Sequence, residues 1–282
     1  MSKTSAALPE TSAVSRSYVD DVVSALASDG AIVVHDAVDQ EFVAATQRAL
    51  YGAQRAIRRH IGEERLAAAH ELGVIRIPMK WDAHFFRFFE LPAVLQVIDA
   101  TVGDTAICHL QNGFILPSRE LSKEKTTVFQ NTMHRDFPRY LDGYVASVNT
   151  FFAMSDFTPS TGGTKILQGT QQRPDAWTPS EAEAADAVDF VCPPGTMLVF
   201  DSTVWHAAGD NLSGEDRLAV NHQWTKSFLK QQIDYVRALG NDLVVTQPPR
   251  TQQLLGWYTR VVTSLDDFYR PQDERLYRSG QG

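Results

Sequence analysis

The residues best suited to chemistry stand in the segment NTMHRDFPRY, which covers residues 131–140. His134 and Asp136 lie two residues apart, and side chains at this spacing in a β-strand point to the same side. An imidazole and a carboxylate held in this way could bind one metal ion. The pair alone is weak evidence, because 8 His and 34 acidic residues in a chain of 282 predict about one such pair by chance.

Two later residues strengthen the metal-site hypothesis. His206 follows the apolar segment MLVF and a short polar turn, and Arg217 stands 11 residues further along the chain. Two imidazoles and one carboxylate leave coordination positions open, which is the arrangement of non-haem Fe(II) oxygenases. The absence of nearby thiols argues against a structural zinc site.

Arg217 has two interpretations at this stage. It is either a surface residue at the start of a strand, or a planar fork that binds a carboxylate through two parallel hydrogen bonds. The segment RLAVNHQW (217–224) has the composition of a strand. Its period of two places Arg217 and His222 on opposite faces, so an inward-facing Arg217 argues against His222 as a metal ligand.

The elements that must hold these residues fall into three groups along the chain. Helices are predicted at 17–28, 40–72 and 91–102. Strands are predicted at 31–35, 73–79, 105–116, 144–154 and 217–224, with two more around a Pro-Pro-Gly turn in 188–206. Residues 171–188 form a loop or insert, and the chain beyond 227 is mostly helical. This order predicts a mainly β fold with flanking helices, a sandwich or barrel.

Composition excludes several other classes of protein. A hydrophobic content of 43% supports a full core, and a net charge of −8 argues against nucleic acid as a partner. No run of about 18 apolar residues exists that would span a membrane. Two cysteines cannot form a disulfide framework, which favours a reducing, cytoplasmic setting. Residues 1–16 are predicted to be a flexible tail, and residues 17–282 a single domain.

Taken together, these residues resemble the phytanoyl-CoA dioxygenase-like (PhyH-like) family of Fe(II)/2-oxoglutarate-dependent oxygenases. The similarity includes the triplet His134-Arg135-Asp136, the distal His206 and Arg217. It also includes the helix-to-strand segment ASDGAIVV (27–34) and the segment NTFFAMSDFTPSTGGTKILQGT (149–170), and it extends over residues 18–225.

The resemblance implies a double-stranded β-helix, also called a jelly roll or cupin-like fold. It implies that His134, Asp136 and His206 hold Fe(II), and that the far carboxylate of 2-oxoglutarate binds Arg217. Dioxygen takes the remaining position on the metal. Further contacts to 2-oxoglutarate are expected from Gln111, Thr164 and Asn131, although Gln111 could equally be a sheet-edge residue and Asn131 a turn residue.

The resemblance also suggests which residues border the substrate. These are four cations and one aromatic residue: Arg76, Lys80, Arg135, Arg139 and Tyr140. The cations could indicate an acidic substrate or could be solvated surface charges. Ala208 stands where the family often has a hydroxyl that touches the cosubstrate, so one hydrogen bond is expected to be missing.

The leading functional hypothesis is a dioxygenase that hydroxylates a C–H bond of a small metabolite or natural-product intermediate and releases succinate and CO2. The same machinery could instead desaturate, cyclise or epoxidise its substrate. Two further alternatives are a non-catalytic jelly-roll protein that binds a ligand, and a metal enzyme independent of 2-oxoglutarate. The presence of Asp136 argues against halogenation, and the sequence makes no prediction of oligomeric state.

Overall fold

The computed structural model describes residues 7–118, 131–275 and 277–281. Two β-sheets form its centre. The strands, in chain order, are β1 (Glu10–Ser12), β2 (Ala31–His35), β3 (Val74–Arg76), β4 (Ile107–Leu116), β5 (Ser147–Ala153), β6 (Thr164–Leu167), β7 (Val188–Asp189), β8 (Met197–Asp201), β9 (Trp205–Ala208) and β10 (Arg217–Thr225). The larger sheet has the order β1-β2-β8-β5-β10-β4-β3, and the smaller has the order β7-β6-β9.

Helices precede and follow the strands, as the sequence predicts. They are α1 (Tyr18–Ser28), α2 (Gln40–Ile61), α3 (Glu63–Ala68), α4 (Pro92–Thr101), α5 (Glu181–Ala184), α6 (Tyr235–Leu239), α7 (Asn241–Val245), α8 (Pro249–Leu254) and α9 (Leu265–Phe268). Short 3-10 helices occupy Pro78–Lys80, Ala83–Glu90, Thr170–Gln172 and Gln272–Glu274. Within the described ranges, no helix combines the length and the apolar character needed to cross a bilayer.

The larger sheet buries both of its faces. One face packs against the helices, where Phe85, Phe88 and Phe89 are fully buried. The other face packs with the smaller sheet around Phe157, Phe190 and other apolar residues. Two facing sheets with helices on one side confirm the predicted mainly β jelly roll.

Strand β10 lies in the middle of the larger sheet, between β4 and β5, and is antiparallel to both. Its residues alternate as the period of two predicts. Leu218, Val220 and Trp224 join the helix-side core, whereas Ala219 joins the core between the sheets. His222 is fully buried on the helix side, where its ring stacks on Trp224 with centroids 5.3 Å apart.

Two sequence predictions need correction. The predicted helix 40–72 divides at Gly62, whose φ of 91° ends α2 and separates it from α3. Part of the predicted flexible tail is structured, because Leu8 is buried and β1 pairs in parallel with β2. Backbone pairing to a sheet edge orders this segment despite its small, polar composition. Residues 1–6 of the predicted tail lie outside the described residues.

The burial of His222 makes the stability of the fold sensitive to acid. Burial lowers the pKa of His222 to about 3, whereas an unfolded histidine titrates near 6.5. Between these two pKa values the unfolded chain binds more protons than the folded chain, so the free energy of unfolding falls as the pH falls. Lowering the pH from 7 to 5 should reduce the unfolding free energy of the wild type by about 2 kcal/mol more than that of His222→Gln, which has no imidazole to titrate. Urea unfolding at both pH values measures this difference, and equal losses would contradict it.

Candidate metal centre

The backbone brings the first and the distal histidine together. His134 and His206 form an antiparallel bridge, in which each amide donates to the other residue's carbonyl at 2.9 Å. A further backbone bond joins Phe137 N to Ser202 O at 2.9 Å. The segment that carries His134 and Asp136 is therefore fastened to β9 and to the turn before it.

The side chains of His134, Asp136 and His206 converge. Nε2 of His134 lies 3.7 Å from Oδ1 of Asp136, and Nε2 of His206 lies 3.7 Å from Oδ2 of the same carboxylate. Ligand atoms of all three residues lie within 4.8 Å of one another. Such separations suit ligands that each stand about 2.0–2.2 Å from one ion. Nitrogen and oxygen donors without thiolate are the chemistry that Fe(II) accepts in a facial triad.

Both imidazoles have their ring orientation fixed by backbone carbonyls. Nδ1 of His134 donates to Thr132 O at 2.8 Å, and Nδ1 of His206 donates to Val204 O at 3.0 Å. The remaining nitrogen, Nε2, then carries a lone pair and points to the shared centre. Burial lowers the pKa of His206, which keeps this ring in the neutral form that a metal requires.

A cavity opens beside this centre and contains Arg217. Its lining includes all three candidate ligands, Arg217, Thr164, Ala208 and Asn221, together with Phe114, Phe151 and Phe200. Arg217 is only 5% exposed. Burial lowers the pKa of its guanidinium to about 10, so the group remains charged at neutral pH.

The charge of Arg217 has no anionic partner among the described residues. Its guanidinium lies 5.2 Å from the ring centre of Phe157, and its Nη1 is buried without a hydrogen-bond partner among the described residues. No carboxylate of the described residues lies within ion-pair distance of it. A buried cation of this kind requires an anionic ligand, and a dicarboxylic acid meets that requirement.

A tight glycine turn precedes β6, whose first residue, Thr164, lines the cavity. Gly162 has a φ of 70°, and a side chain at Gly163 would collide with the carbonyl oxygen of Phe190. A side chain at Gly162 would collide with the carbonyl oxygen of Asp210, so this glycine lets the start of β6 lie close to the chain that leaves β9. Thr164 opens β6 directly opposite Ala208 of β9.

The sequence of the chain matches the family model described as Phytanoyl-CoA dioxygenase (PhyH) over residues 26–219. The chain belongs to this family. It is a non-haem oxygenase that depends on Fe(II) and 2-oxoglutarate and uses dioxygen, and the convergent His-Asp-His set agrees with that dependence.

Similar proteins occur in bacteria and fungi. The chain is 55% identical over 265 residues to the Uncharacterized protein Rv1501 of Mycobacterium tuberculosis, covering 94% of this chain and 96% of that protein. It is 29% identical over 115 residues to the Iron/alpha-ketoglutarate-dependent dioxygenase ausU of Aspergillus calidoustus, covering 40% of this chain and 37% of that protein. The fungal similarity thus covers less than half of either chain.

Solved structures share the fold at low sequence identity. The non-heme monooxygenase ThoJ superimposes with a TM-score of 0.57 at 18% identity, over 74% of this chain and 78% of that one. The alpha ketoglutarate dependent epimerase SnoN from nogalamycin biosynthesis gives a TM-score of 0.55 at 15% identity, over 75% of this chain and 83% of that one.

Within this PhyH-family fold, the prediction that Gln111 contacts the cosubstrate does not hold. Gln111 is fully buried on the helix side of the sheet, where its Nε2 donates to Phe85 O at 3.0 Å and lies 2.7 Å from His222 Nε2. The alternation of β4 directs Asn112, not Gln111, to the face between the sheets, because Asn112 pairs with Asn221 of the cavity lining. Asn131 lies outside the cavity lining and donates to Asp210 Oδ1 at 3.2 Å.

The residues predicted to border the substrate lie outside the cavity lining. Arg76 forms a bidentate ion pair with Glu71, so its guanidinium is not free to bind a ligand in the same way. Lys80 is exposed beside Trp81, Arg139 is exposed, and the hydroxyl of Tyr140 donates to Asp142 at 3.2 Å. For Lys80, Arg139 and Tyr140 a role in substrate binding stays a prediction.

Arg135 faces outward, away from the metal ligands on either side of it in the sequence. Its guanidinium lies 5.2 Å from the ring centre of Trp205, and its Nη2 donates to Asp175 O at 3.0 Å. Trp177 meets Trp205 edge-on at 6.2 Å. This outer stack, formed by Arg135, Trp177 and Trp205, fastens the loop 173–177 over the back of the metal centre.

Several lining residues escaped the sequence analysis. Asn221 shares a strand face with Arg217, so the period of two contains the signal for it. Phe151 and Phe200 carried no such signal, because aromatic residues are equally expected in either core.

Loss of one candidate ligand should remove metal binding without unfolding the protein. We expect His206→Gln and Asp136→Asn each to weaken Co(II) or Fe(II) binding by at least about 100-fold, since even outer contacts of a metal site contribute roughly 10–100-fold. Anaerobic metal titration measures the affinity, and His60→Gln on the protein surface is the control. Unchanged affinity in both variants would place the metal elsewhere.

Proposed function

We propose that this oxygenase hydroxylates a C–H bond of a small metabolite or natural-product intermediate. His134, Asp136 and His206 would hold Fe(II) and Arg217 would hold 2-oxoglutarate, and together these groups would supply the oxidising chemistry, with succinate and CO2 as the co-products. The observation that carries the proposal is the buried guanidinium of Arg217, whose Nη1 has no hydrogen-bond partner among the described residues, in the same cavity as the three candidate ligands.

The chain's own residues would perform three tasks in this reaction. The carbonyls of Thr132 and Val204 hold the two imidazoles in the tautomer that presents Nε2. Arg217 and Thr164 orient the dicarboxylate at the inner end of the cavity. Phe114, Phe151 and Phe200 exclude water from it, which strengthens the charge interaction at Arg217.

The two alternatives that do not use 2-oxoglutarate receive less support. A non-catalytic protein that only binds a ligand does not require three converging metal ligands. A metal enzyme independent of 2-oxoglutarate has no requirement for a buried guanidinium that lacks an anion. Desaturation, cyclisation and epoxidation use the same residues, so product analysis must separate them from hydroxylation.

The deciding experiment supplies the Fe(II)-loaded protein with labelled 2-oxoglutarate, 18O2 and a small-molecule extract. Hydroxylation appears as a product that gains one labelled oxygen atom together with succinate. A product that loses two hydrogens and gains no label would overturn hydroxylation in favour of desaturation.

Cytoplasmic location also stays a prediction. It is supported by Cys108 and Cys192, whose buried thiols form no disulfide.

Arg217 should be required for binding of 2-oxoglutarate but not for binding of the metal. We expect Arg217→Gln to weaken 2-oxoglutarate binding by at least about 100-fold, and Arg217→Lys to restore little of it, because an ammonium cannot form two parallel bonds to a carboxylate. The visible charge-transfer band of the anaerobic Fe(II)–2-oxoglutarate complex measures the affinity. Arg59→Gln, on the protein surface, serves as the control. A 2-oxoglutarate affinity preserved in Arg217→Gln refutes the proposed anchor.

Ala208 offers a gain-of-binding test of the same cavity. It lines the cavity opposite Thr164 and lacks the hydroxyl that many family members carry. We expect Ala208→Ser to tighten 2-oxoglutarate binding about fivefold, since one added hydrogen bond contributes about 1 kcal/mol. Ala208→Gly, which adds no hydroxyl, should show no gain in the same titration. Equal affinities in the serine and glycine variants would mean that position 208 does not reach the cosubstrate.

A further inference from the structure

An irregularity in the pairing of β4 with β10 changes where one histidine points. Trp224 of β10 pairs with Cys108, and the preceding residue, Gln223, pairs with Leu110. His109 therefore has no opposite residue and forms a β-bulge. Bulges redirect side chains and occur frequently beside active sites.

The neighbours of the bulge show the direction of its side chain. Cys108 and Gln111 both lie in the helix-side core, although their separation of three residues would put them on opposite faces of a regular strand. The extra residue accounts for this, so His109 and Leu110 both project to the face between the sheets. Leu110 pairs with Gln223, whose Nε2 donates to Ser147 Oγ at 3.0 Å on that same face.

This face lies next to the metal centre. Ser147 Oγ is 2.7 Å from Ser202 Oγ, and the carbonyl of Ser202 accepts from Phe137 N in the segment of His134 and Asp136. Burial lowers the pKa of His109, and the negative charge of Asp136 opposes that shift. Arg217 stands at the opposite end of β10 from Gln223, so His109 lies toward the end of the strand away from the proposed 2-oxoglutarate site, outside the lining of the cavity that contains Arg217.

One ring nitrogen of His109 has no hydrogen-bond partner among the described residues. This nitrogen, Nδ1, is buried, whereas the ring does contact the backbone of Lys230. Burial lowers the pKa of His109, and its ring is therefore neutral near pH 7 and can accept a hydrogen bond. An unsatisfied buried polar atom in a native fold calls for a ligand or an ordered water.

We propose that His109 is a substrate-binding residue, and that Nδ1 accepts a hydrogen bond from a hydroxyl or N–H group of the molecule oxidised at the metal. This inference rests on the proposed function and narrows it to substrates that carry such a donor near the reacting carbon. A site built to bind a donor discriminates strongly against an analogue that lacks it, because the protein atom is then left unpaired.

The test uses matched probes that differ only in the donor: cyclohexanol with methoxycyclohexane, and benzyl alcohol with benzyl methyl ether. Each is titrated into the anaerobic Fe(II)–2-oxoglutarate complex, and binding is followed by saturation-transfer NMR and by the charge-transfer band. The proteins are the wild type, His109→Phe, His109→Asn, which retains an acceptor at a similar distance from the backbone, and His60→Phe as a surface control.

We expect at least one alcohol to bind the wild type and the control tenfold more tightly than its ether. His109→Phe should abolish the preference, His109→Asn should restore part of it, and the affinity for 2-oxoglutarate should be the same in all four proteins. Equal binding of alcohol and ether to the wild type, no binding of either alcohol, or a preference that persists in His109→Phe would overturn the assignment. A wild type that binds no 2-oxoglutarate would instead overturn the proposed function.

Discussion

A charged guanidinium inside the sandwich is the constraint on which the rest of the site depends. Moving such a group out of water costs several kcal/mol unless an opposite charge accompanies it, and the described part of the chain offers Arg217 no carboxylate. The fold therefore keeps a cavity open in front of Arg217 that a small dianion can fill. Because His134, Asp136 and His206 line the same cavity, the anion and the metal would lie side by side in it.

The metal ligands depend on backbone pairing more than on their own packing. His134 belongs to no long strand, yet its two bonds to His206 give it the alignment of a strand residue. In both imidazoles, Nδ1 donates a hydrogen bond to the carbonyl oxygen of the residue two positions earlier in the chain. The same local geometry repeats at both histidines, so the two rings present equivalent nitrogen atoms to the shared centre.

Sequence reasoning predicted the fold class and grouped the four central residues, because residue types, order and strand period carry that information. It failed for Gln111, because both faces of the larger sheet are buried and the pattern of β4 does not distinguish them. It gave no indication that His109 turns toward the face between the sheets, because a bulge has no signature in residue spacing. The ion pair of Arg76 and the outward direction of Arg135 depend on tertiary contacts with Glu71 and Asp175, which no local pattern contains.

The outer stack links the metal ligands to a loop that has no part in coordination. Arg135 lies between two candidate ligands in sequence, Trp205 adjoins the third, and both contact residues 173–177. A metal ion that binds only while these contacts are formed stabilises them by mass action. Binding of a metal ion at the centre would therefore slow proteolytic cleavage of the surface loop 173–177, although this loop does not contact the ion.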